Sequence, residues 1–389
     1  MRNPKENQDF LKYMDGELAR LWRLGRNAII GWSPLRDRIA VLTVPQYLLP
    51  HILSNYEDIL VGSRKMSKSK LKEISDICEI EPYNINFPNI QKDYKIQWRE
   101  LDKLIERYSI IKTNNKAVIL FDIVGFSHYS ALEQVAALNN LSYSINIANS
   151  RAKENGLDMV VSQSTTGDGF YIWNVKEGLE ANLNLYCIMM LVLADNALGS
   201  QKTSTIIVPN LRTCFHVGSC FEYFQASRES LGTSHFIVGD VTINLARMID
   251  RALPDQIMIG NFHGLKDKKG KILDTIQFMN FAKKSMKVFD KITLSREKIS
   301  SIKCYLTGEK ISEKLFNVSR YTIQDKHKYK HVVYNAKVNV YRHLGDPIFL
   351  GRQSIDMADF EAVNRTGVQP PLPKSDVIDF SIKLKERAS

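Results

Sequence analysis

The order of apolar runs, turn signals and long periodic segments predicts an α+β fold: a mixed or antiparallel sheet covered by helices. A helical N-terminal extension and a C-terminal extension flank it. Three observations carry the prediction. Ala117 to Ser127 (AVILFDIVGFS) reads as a buried strand ending at an acid and a glycine turn. Met159 to Trp173 (MVVSQSTTGDGFYIW) reads as two strands joined at Gly167-Asp168-Gly169, a hairpin signal. Long helical patterns stand between such strand pairs, the mixture expected of α+β domains.

Taken in order, Phe10, Met14, Leu18, Leu21 and Trp22 recur at helical spacing beside Lys12, Glu17, Arg20 and Arg23. That helix could face a core, a partner helix or a membrane. Residues 61–80 are Lys/Ser-rich and read as an exposed connection or helix. Trp98 to Tyr108 gives a second helical pattern. After the strand at Ala117, Ser130 to Lys153 reads as a long helix and Glu177 to Leu198 as another. Leu211 to Gln225 looks like a second pair of strands around Gly218. His235 to Ile259 gives strand, helix and strand. Residues 262 to about 330 are Lys-rich and less regular, and His331 to Tyr341 alternates like a half-buried strand. The expected organisation is an N-terminal extension over 1–114, a main domain over 115–345 carrying a Lys-rich insertion near 262–330, and an extended arm over 346–389.

Composition narrows the class. Of 389 residues, 44% are hydrophobic and 24% charged, values of a folded protein. Fifty-three Lys and Arg against 42 Asp and Glu give a net charge of +11, which favours polyanionic partners such as a nucleoside triphosphate. No helix carries the concentrated basic stripe of a nucleic-acid reader, so no nucleic-acid partner is expected. The first residues lack the apolar core of a secretory signal. The longest apolar run, Leu185 to Ala194, is half of the roughly 20 residues that span a bilayer. The chain therefore reads as cytoplasmic, with no transmembrane segment. Five scattered cysteines, never spaced CxxC, argue against disulfides and structural zinc.

Two acids stand out because each ends an apolar strand beside glycine. Asp122 follows Val118-Ile119-Leu120-Phe121, and Asp168 sits between two glycines. If their strands are neighbours, the carboxylates can share divalent cations, hard ligands suited to Mg²⁺ or Mn²⁺. The amides of Val124, Gly125, Phe126 and Ser127, read as a helix N-terminus, would then cradle phosphates. The plainer reading is that Asp168 serves the turn and Asp122 caps a helix.

Taken together and in order, LFDIVGFS, TTGDGFYIW, FHVGS and VGDVTINLARMIDRALPDQIMI resemble the catalytic domain of class III nucleotidyl cyclases. The resemblance covers residues 115 to about 260, with the strand near residue 335 a candidate continuation. It implies a ferredoxin-like domain working as a homodimer with composite active sites, converting a nucleoside triphosphate to a 3′,5′-cyclic monophosphate and pyrophosphate. Position by position it implies that Asp122, Asp168 and the carbonyl of Ile123 hold two divalent cations, Mn²⁺ or Mg²⁺. It further implies that Arg247, from the opposite subunit, stabilises charge on the reacting phosphate. His216 matches a family histidine in the H-x-G strand turn, where a structural role is expected ahead of a catalytic one.

The departures from the family pattern concern the base and the ribose. Where purine cyclases carry Lys or Glu to read the base edge, this chain has Ser164. The complementary position is Phe236, and the position against the purine ring is Leu120. Ile243 occupies the place of the ribose-orienting asparagine. Asn244 comes one residue late, which on a helix turns the side chain by about 100°, and Thr242 offers an alternative. With the metal acids retained and the purine determinants absent, the chain resembles the pyrimidine cyclases of bacterial anti-phage defence. The resemblance implies UTP ahead of CTP as substrate and a cyclic nucleotide messenger acting on a separate effector. The alternatives are an adenylate or guanylate cyclase with an atypical base pocket and a degenerate regulator that binds nucleotide without turnover.

Overall fold

A computed structural model of the chain describes residues 4–88, 97–157, 159–201, 207–226, 233–308, 310–312, 315–316, 318–352 and 361–362. In chain order the elements begin with α1 (Pro4–Trp22), β1 (Asn27–Pro34), β2 (Arg38–Pro45), α2 (Leu49–Ile52), α3 (Lys68–Cys78), β3 (Tyr83–Asn86) and α4 (Trp98–Glu106). There follow β4 (Ile110–Ile123), α5 (Ala131–Glu154), β5 (Val161–Thr165), β6 (Gly169–Asn174), α6 (Leu179–Ser200), β7 (Leu211–Ala226), β8 (Thr233–Val238), α7 (Asp240–Ile249) and β9 (Ile257–Gly260). The last stretch holds β10 (His263–Lys266), β11 (Ile272–Asp274), α8 (Thr275–Ser285), β12 (Thr293–Leu294), β13 (Glu297–Leu306), β14 (Lys310–Ser312), β15 (Leu315–Phe316), β16 (Tyr321–Gln324), β17 (Lys330–Arg342), β18 (Ile348–Leu350) and β19 (Glu361–Ala362).

The chain forms two compact units, Met1–Asn114 with Ser219–Gly239, and Asn115–Gly218 with Asp240–Ser389. In the first, β1, β2 and β3 make an antiparallel sheet that periodicity alone did not reveal. Both faces of β1 are buried, so its apolar run lacks the alternation of a half-exposed strand. Ile29 and Trp32 pack with Phe10, Met14 and Leu18 of α1 and with Leu101 and Ile105 of α4. Ile30 joins Leu71, Ile74 and Cys78 of α3 in a separate cluster. A register shift between Ile29 and Gly31 lets residues 29 and 32, of opposite parity, share one face. The amphipathic N-terminal helix thus packs on a core, and α3 buries one face of the Lys/Ser-rich segment. Residues Phe221–Ala226 of β7 pair antiparallel with β8 in the same unit.

In the second unit β4-α5-β5-β6-α6-β7 lays down strands in the order β7-β4-β6-β5, the ferredoxin-like arrangement expected from the sequence. The sheet continues from β7 through β9, β17 and β13 to β12. It is mixed: β4 with β6, β5 with β6 and β9 with β17 run antiparallel, while β7 and β9 run parallel. β7 is one continuous strand rather than two strands broken at Gly218. That glycine accommodates α7 instead, since a Cβ there would stand 3.3 Å from the Val241 side chain.

Strand alternation sorts the sheet into two faces. Ile119, Phe121 and Ile123 of β4, Ile172 of β6 and Phe215 of β7 enter the main core with α5 and α6. α6 is 22 residues long and apolar enough to cross a membrane by length and composition, but 83% of its apolar window is buried inside the fold. A helix that is apolar all round needs cover on every side. Here α5, α8, β12 and β13 contribute it. The Lys-rich stretch after residue 262 is therefore more regular than its composition suggests, with Phe278, Met279, Ala282 and Phe289 completing the core. All five cysteines are free and buried. Most of the C-terminal arm lies outside the described residues.

Candidate functional site

The opposite face of the sheet carries the polar residues. Asp122 is two residues beyond Leu120 on β4, and their partners across the ladder are Gly169 and Tyr171 of β6. Ser164 of β5 stands opposite Tyr171. Leu120, Tyr171 and Ser164 thus form one cross-strand row, with Asp122 and Gly169 in the next. Asp168 sits at the mouth of the β5–β6 hairpin, and its carbonyl accepts the Ile123 amide at 2.9 Å. This brings Asp122, Ile123 and Asp168 together at adjoining strand ends. The turn is fixed locally: the Thr166 amide donates to the Gly169 carbonyl at 3.0 Å, the Gly167 amide to Thr165 Oγ1 at 3.1 Å, and Thr166 Oγ1 to Asp168 at 3.2 Å. Gly169 permits the close strand approach, because a Cβ there would lie 1.9 Å from the Phe121 carbonyl oxygen. The glycines beside Asp168 therefore serve strand geometry, while its carboxylate stays half-exposed.

Arg212 of β7 is a residue that sequence reasoning passed over. Its Nε donates to one oxygen of Asp122 at 2.7 Å, and its Nη2 forms an ion pair with the same oxygen at 2.5 Å. The signal was an arginine two residues from Cys214 in the FHVGS strand, on the parity that faces away from the core. Burial pushes the Asp122 carboxyl above the usual carboxylate range; Arg212 pulls it down, and Asp168, by charge and a hydrogen bond, pushes it up. A cation beside both carboxylates would relieve their mutual repulsion.

That donor set fits a divalent metal of the hard class. Mg²⁺ is commonly held by one or two carboxylates, with substrate phosphates and water completing the shell. Asp122, Asp168 and the Ile123 carbonyl are such a set. Among the described residues no group of three or more His, Cys, Asp or Glu side chains forms a complete cage.

The segment after Asp122 differs from the expected helix N-terminus. The Val124 amide is committed to the Asn210 carbonyl at 2.9 Å, so it does not face an anion. Gly125 takes a left-handed conformation and Phe126–His128 forms a short 3-10 turn. α5 starts only at Ala131, where Ser130 and Glu133 form a capping box, the Ser130 amide donating to Glu133 at 2.7 Å. Gly125 and Ser127 are exposed and Phe126 half-buried.

On α7, Asn244 turns inward toward His216, with Nδ2 and Nε2 3.4 Å apart, and Ile243 is exposed. Thr242 presents its carbonyl to the Tyr171 hydroxyl at 3.3 Å. Arg247 pairs with Asp325 at 3.1 Å. His216 is buried, and its Nδ1 has no hydrogen-bond partner among the described residues. Burial first, then the nearby His331, push its pKa down to about 4, against a weaker opposite pull from Asp240. A neutral, buried His216 agrees with a structural role. Phe236 belongs to the first unit, where it stacks on Tyr223 with ring centroids 5.6 Å apart. Leu120 is buried.

No protein-family model matches the chain, and no curated protein matches it. Among solved structures it is similar to the guanylyl cyclase Cya2, at 13% identity and a TM-score of 0.37, covering 58% of this chain and 92% of that one. It is similar to the guanylate cyclase domain of RhGC from Catenaria anguillulae in complex with GTP, at 15% identity and a TM-score of 0.36, covering 58% and 97%. A third is the adenylyl cyclase CyaB from P. aeruginosa, at 12% identity and a TM-score of 0.33, covering 58% and 95%.

Proposed function

We propose that this protein is a metal-dependent nucleotidyl cyclase that converts a pyrimidine nucleoside triphosphate, UTP ahead of CTP, to its 3′,5′-cyclic monophosphate and pyrophosphate. The observation that carries the reading is the meeting of Asp122 and Asp168 at adjoining strand ends, where the Ile123 amide donates to the Asp168 carbonyl. Bound there, divalent cations would acidify the ribose 3′-hydroxyl and neutralise the triphosphate. The chain's own residues do the rest. Asp122 and Asp168 hold the cation site. Arg212 holds the Asp122 carboxylate in place and brings a positive charge to that end of the sheet. Arg247 meets charge on the reacting phosphate, in a homodimer whose second subunit supplies it. With Asn244 turned to His216, Thr242 is the better candidate for the ribose.

The pyrimidine assignment draws on Ser164, Phe236 and Leu120. Ser164 shares the face of the acids, one row behind Asp122. Its short hydroxyl offers a polar contact to a base edge, directly or through water. An unmet polar group costs about 1–3 kcal/mol, enough to disfavour purines whose edge groups find no partner. In this reading the cyclic nucleotide is a second messenger of anti-phage defence and acts through a separate effector. The second reading, nucleotide binding without turnover, draws on Arg212 occupying Asp122 Oδ2.

The test is incubation of purified protein with the four labelled triphosphates at equal concentration and Mn²⁺, followed by product identification. Cyclic UMP is expected to dominate, with Asp122→Ala and Asp168→Ala each abolishing it while circular dichroism shows an intact fold. A dominant purine product refutes the pyrimidine assignment. Absence of every cyclic product, with nucleotide still bound, establishes the second reading.

A further inference from the structure

Arg247 is tethered at one edge. Its Nε lies 3.1 Å from Oδ2 of Asp325, in the turn joining β16 to β17. Asp325 is itself fixed with little freedom. Its Oδ1 accepts the amides of His327 and Tyr329, each at 2.9 Å, and its own amide donates to the Tyr329 carbonyl at 3.0 Å. Its Oδ2 also faces His331 Nε2 at 3.2 Å. The Tyr329 ring lies 5.9 Å from the guanidinium carbon, so the same turn supplies both the anion and an aromatic face. Burial opposes ionisation of Asp325, but the Tyr329 amide, His331, the His327 amide and Arg247 outweigh it and hold the carboxyl below its ordinary value. The side chain of Asp325 is 3% exposed and that of Arg247 is 32% exposed. The inner edge of the arginine is therefore anchored while part of the group remains open to solvent.

A guanidinium is a rigid planar fork, so fixing Nε fixes the direction of the two terminal nitrogens. An arginine held only by its flexible stem would have to be ordered each time charge develops on a substrate. We propose that Asp325 is a positioning residue for Arg247: the turn between β16 and β17 aims the terminal nitrogens of Arg247 at the reacting phosphate. This rests on the cyclase reading given above. It assigns a role in the reaction to the segment beyond residue 320, outside the four motifs that carry the family resemblance.

The test uses Asp325→Asn in the full chain. Asparagine keeps an oxygen for the two amides and removes the charge facing Nε. The readouts are kcat and KM for the preferred triphosphate, exchange of the Arg247 Nε–H by ¹⁵N NMR, and the thermal midpoint. The expected result is a kcat lowered roughly 10- to 100-fold, the range for a misplaced group, with KM changed by less than about threefold. Nε–H exchange should quicken while the midpoint holds. In an Arg247→Ala background the same substitution should change kcat by less than about twofold, since the two residues act as one unit. Faster exchange with wild-type kcat, or fully additive effects in the double variant, overturns the proposal. Should Asp325→Asn fail to fold, Asp325→Glu keeps the charge and displaces it by one methylene. Wild-type kcat in that variant also overturns it. If the wild-type protein forms no cyclic nucleotide from any triphosphate while its Arg247 Nε–H remains protected, the cyclase reading is what fails, and the positioning role falls with it although the Asp325 tether stands.

Discussion

Arg212 engages a single oxygen of Asp122 twice, by a hydrogen bond donated from Nε at 2.7 Å and an ion pair from Nη2 at 2.5 Å, across a sequence separation of 90 residues. The carboxylate is almost wholly buried, and Arg212 is the cation that offsets both that burial and the neighbouring Asp168. Replacing the arginine therefore has a stability consequence with a definite pH sign. Asp122 has a raised folded pKa, so folding favours its protonated form, and ionisation weakens the fold as pH rises. Removing Arg212 raises that pKa further. Arg212→Leu is expected to cost about 2 kcal/mol near pH 7 and progressively less as pH falls toward and below the ordinary aspartate pKa of about 3.9, where the carboxyl becomes protonated in both states. Urea unfolding at the two pH values, in chelator, measures the difference; an equal loss at both contradicts it.

The approach of β6 to β4 at Gly169 makes a separate claim about folding. Because a Cβ at this position would overlap the Phe121 carbonyl, Gly169→Ala is expected to destabilise the protein by about 3 kcal/mol or more. The relevant comparison is Gly156→Ala, at a position with φ +83° and nothing within 4 Å of its Cβ. That change should cost only about 1–2 kcal/mol of backbone strain. Equal midpoints in denaturant for the two variants would sink the steric argument.

His216 predicts acid sensitivity. Its folded pKa of about 4 lies below the ordinary histidine value. The unfolded chain therefore binds an extra proton between roughly pH 6.5 and pH 4, and stability falls as pH drops through that window. The loss between about pH 7 and pH 5 should be close to 2 kcal/mol. His216→Gln should flatten this part of the stability profile. An unchanged slope in the variant would assign the acid sensitivity to other groups.

The proposed homodimer makes a complementation prediction. If Arg247 of one subunit serves the acids of the other, Asp168→Ala protein is inactive alone and Arg247→Ala protein keeps only a trace of activity. Mixed under conditions of subunit exchange, they should regain one working site per heterodimer. Demonstrated exchange without any return of activity would rule out the composite site.

The legibility of the site followed the range of the interactions that build it. The apolar run of β4, the Gly167-Asp168-Gly169 turn and the long helices are written in local periodicity and turn chemistry, which is how Asp122 and Asp168 could be placed at strand ends. β1 was missed because a strand buried on both faces loses its alternation, and a bulge scrambles what remains. The Lys-rich segment after residue 262 was read as irregular because its lysines dominate the composition, although Phe278, Met279 and Phe289 are the residues that meet the core. The Val124 amide was misjudged because its acceptor, Asn210, lies on a distant part of the chain.

By itself, then, the sequence determined the α+β order of elements, the succession of strands and helices, and the placing of each of the two acids at a strand end or turn. These depend on residues a few positions apart. Tertiary structure alone decided that Arg212 binds Asp122, that Asn244 turns toward His216, and that Arg247 is anchored by Asp325. Each of these pairs joins separate strands, helices or turns, and their meeting depends on strand order, face parity and helix rotation. A one-residue difference in rotation or register changes the partner, and local pattern carries no record of it.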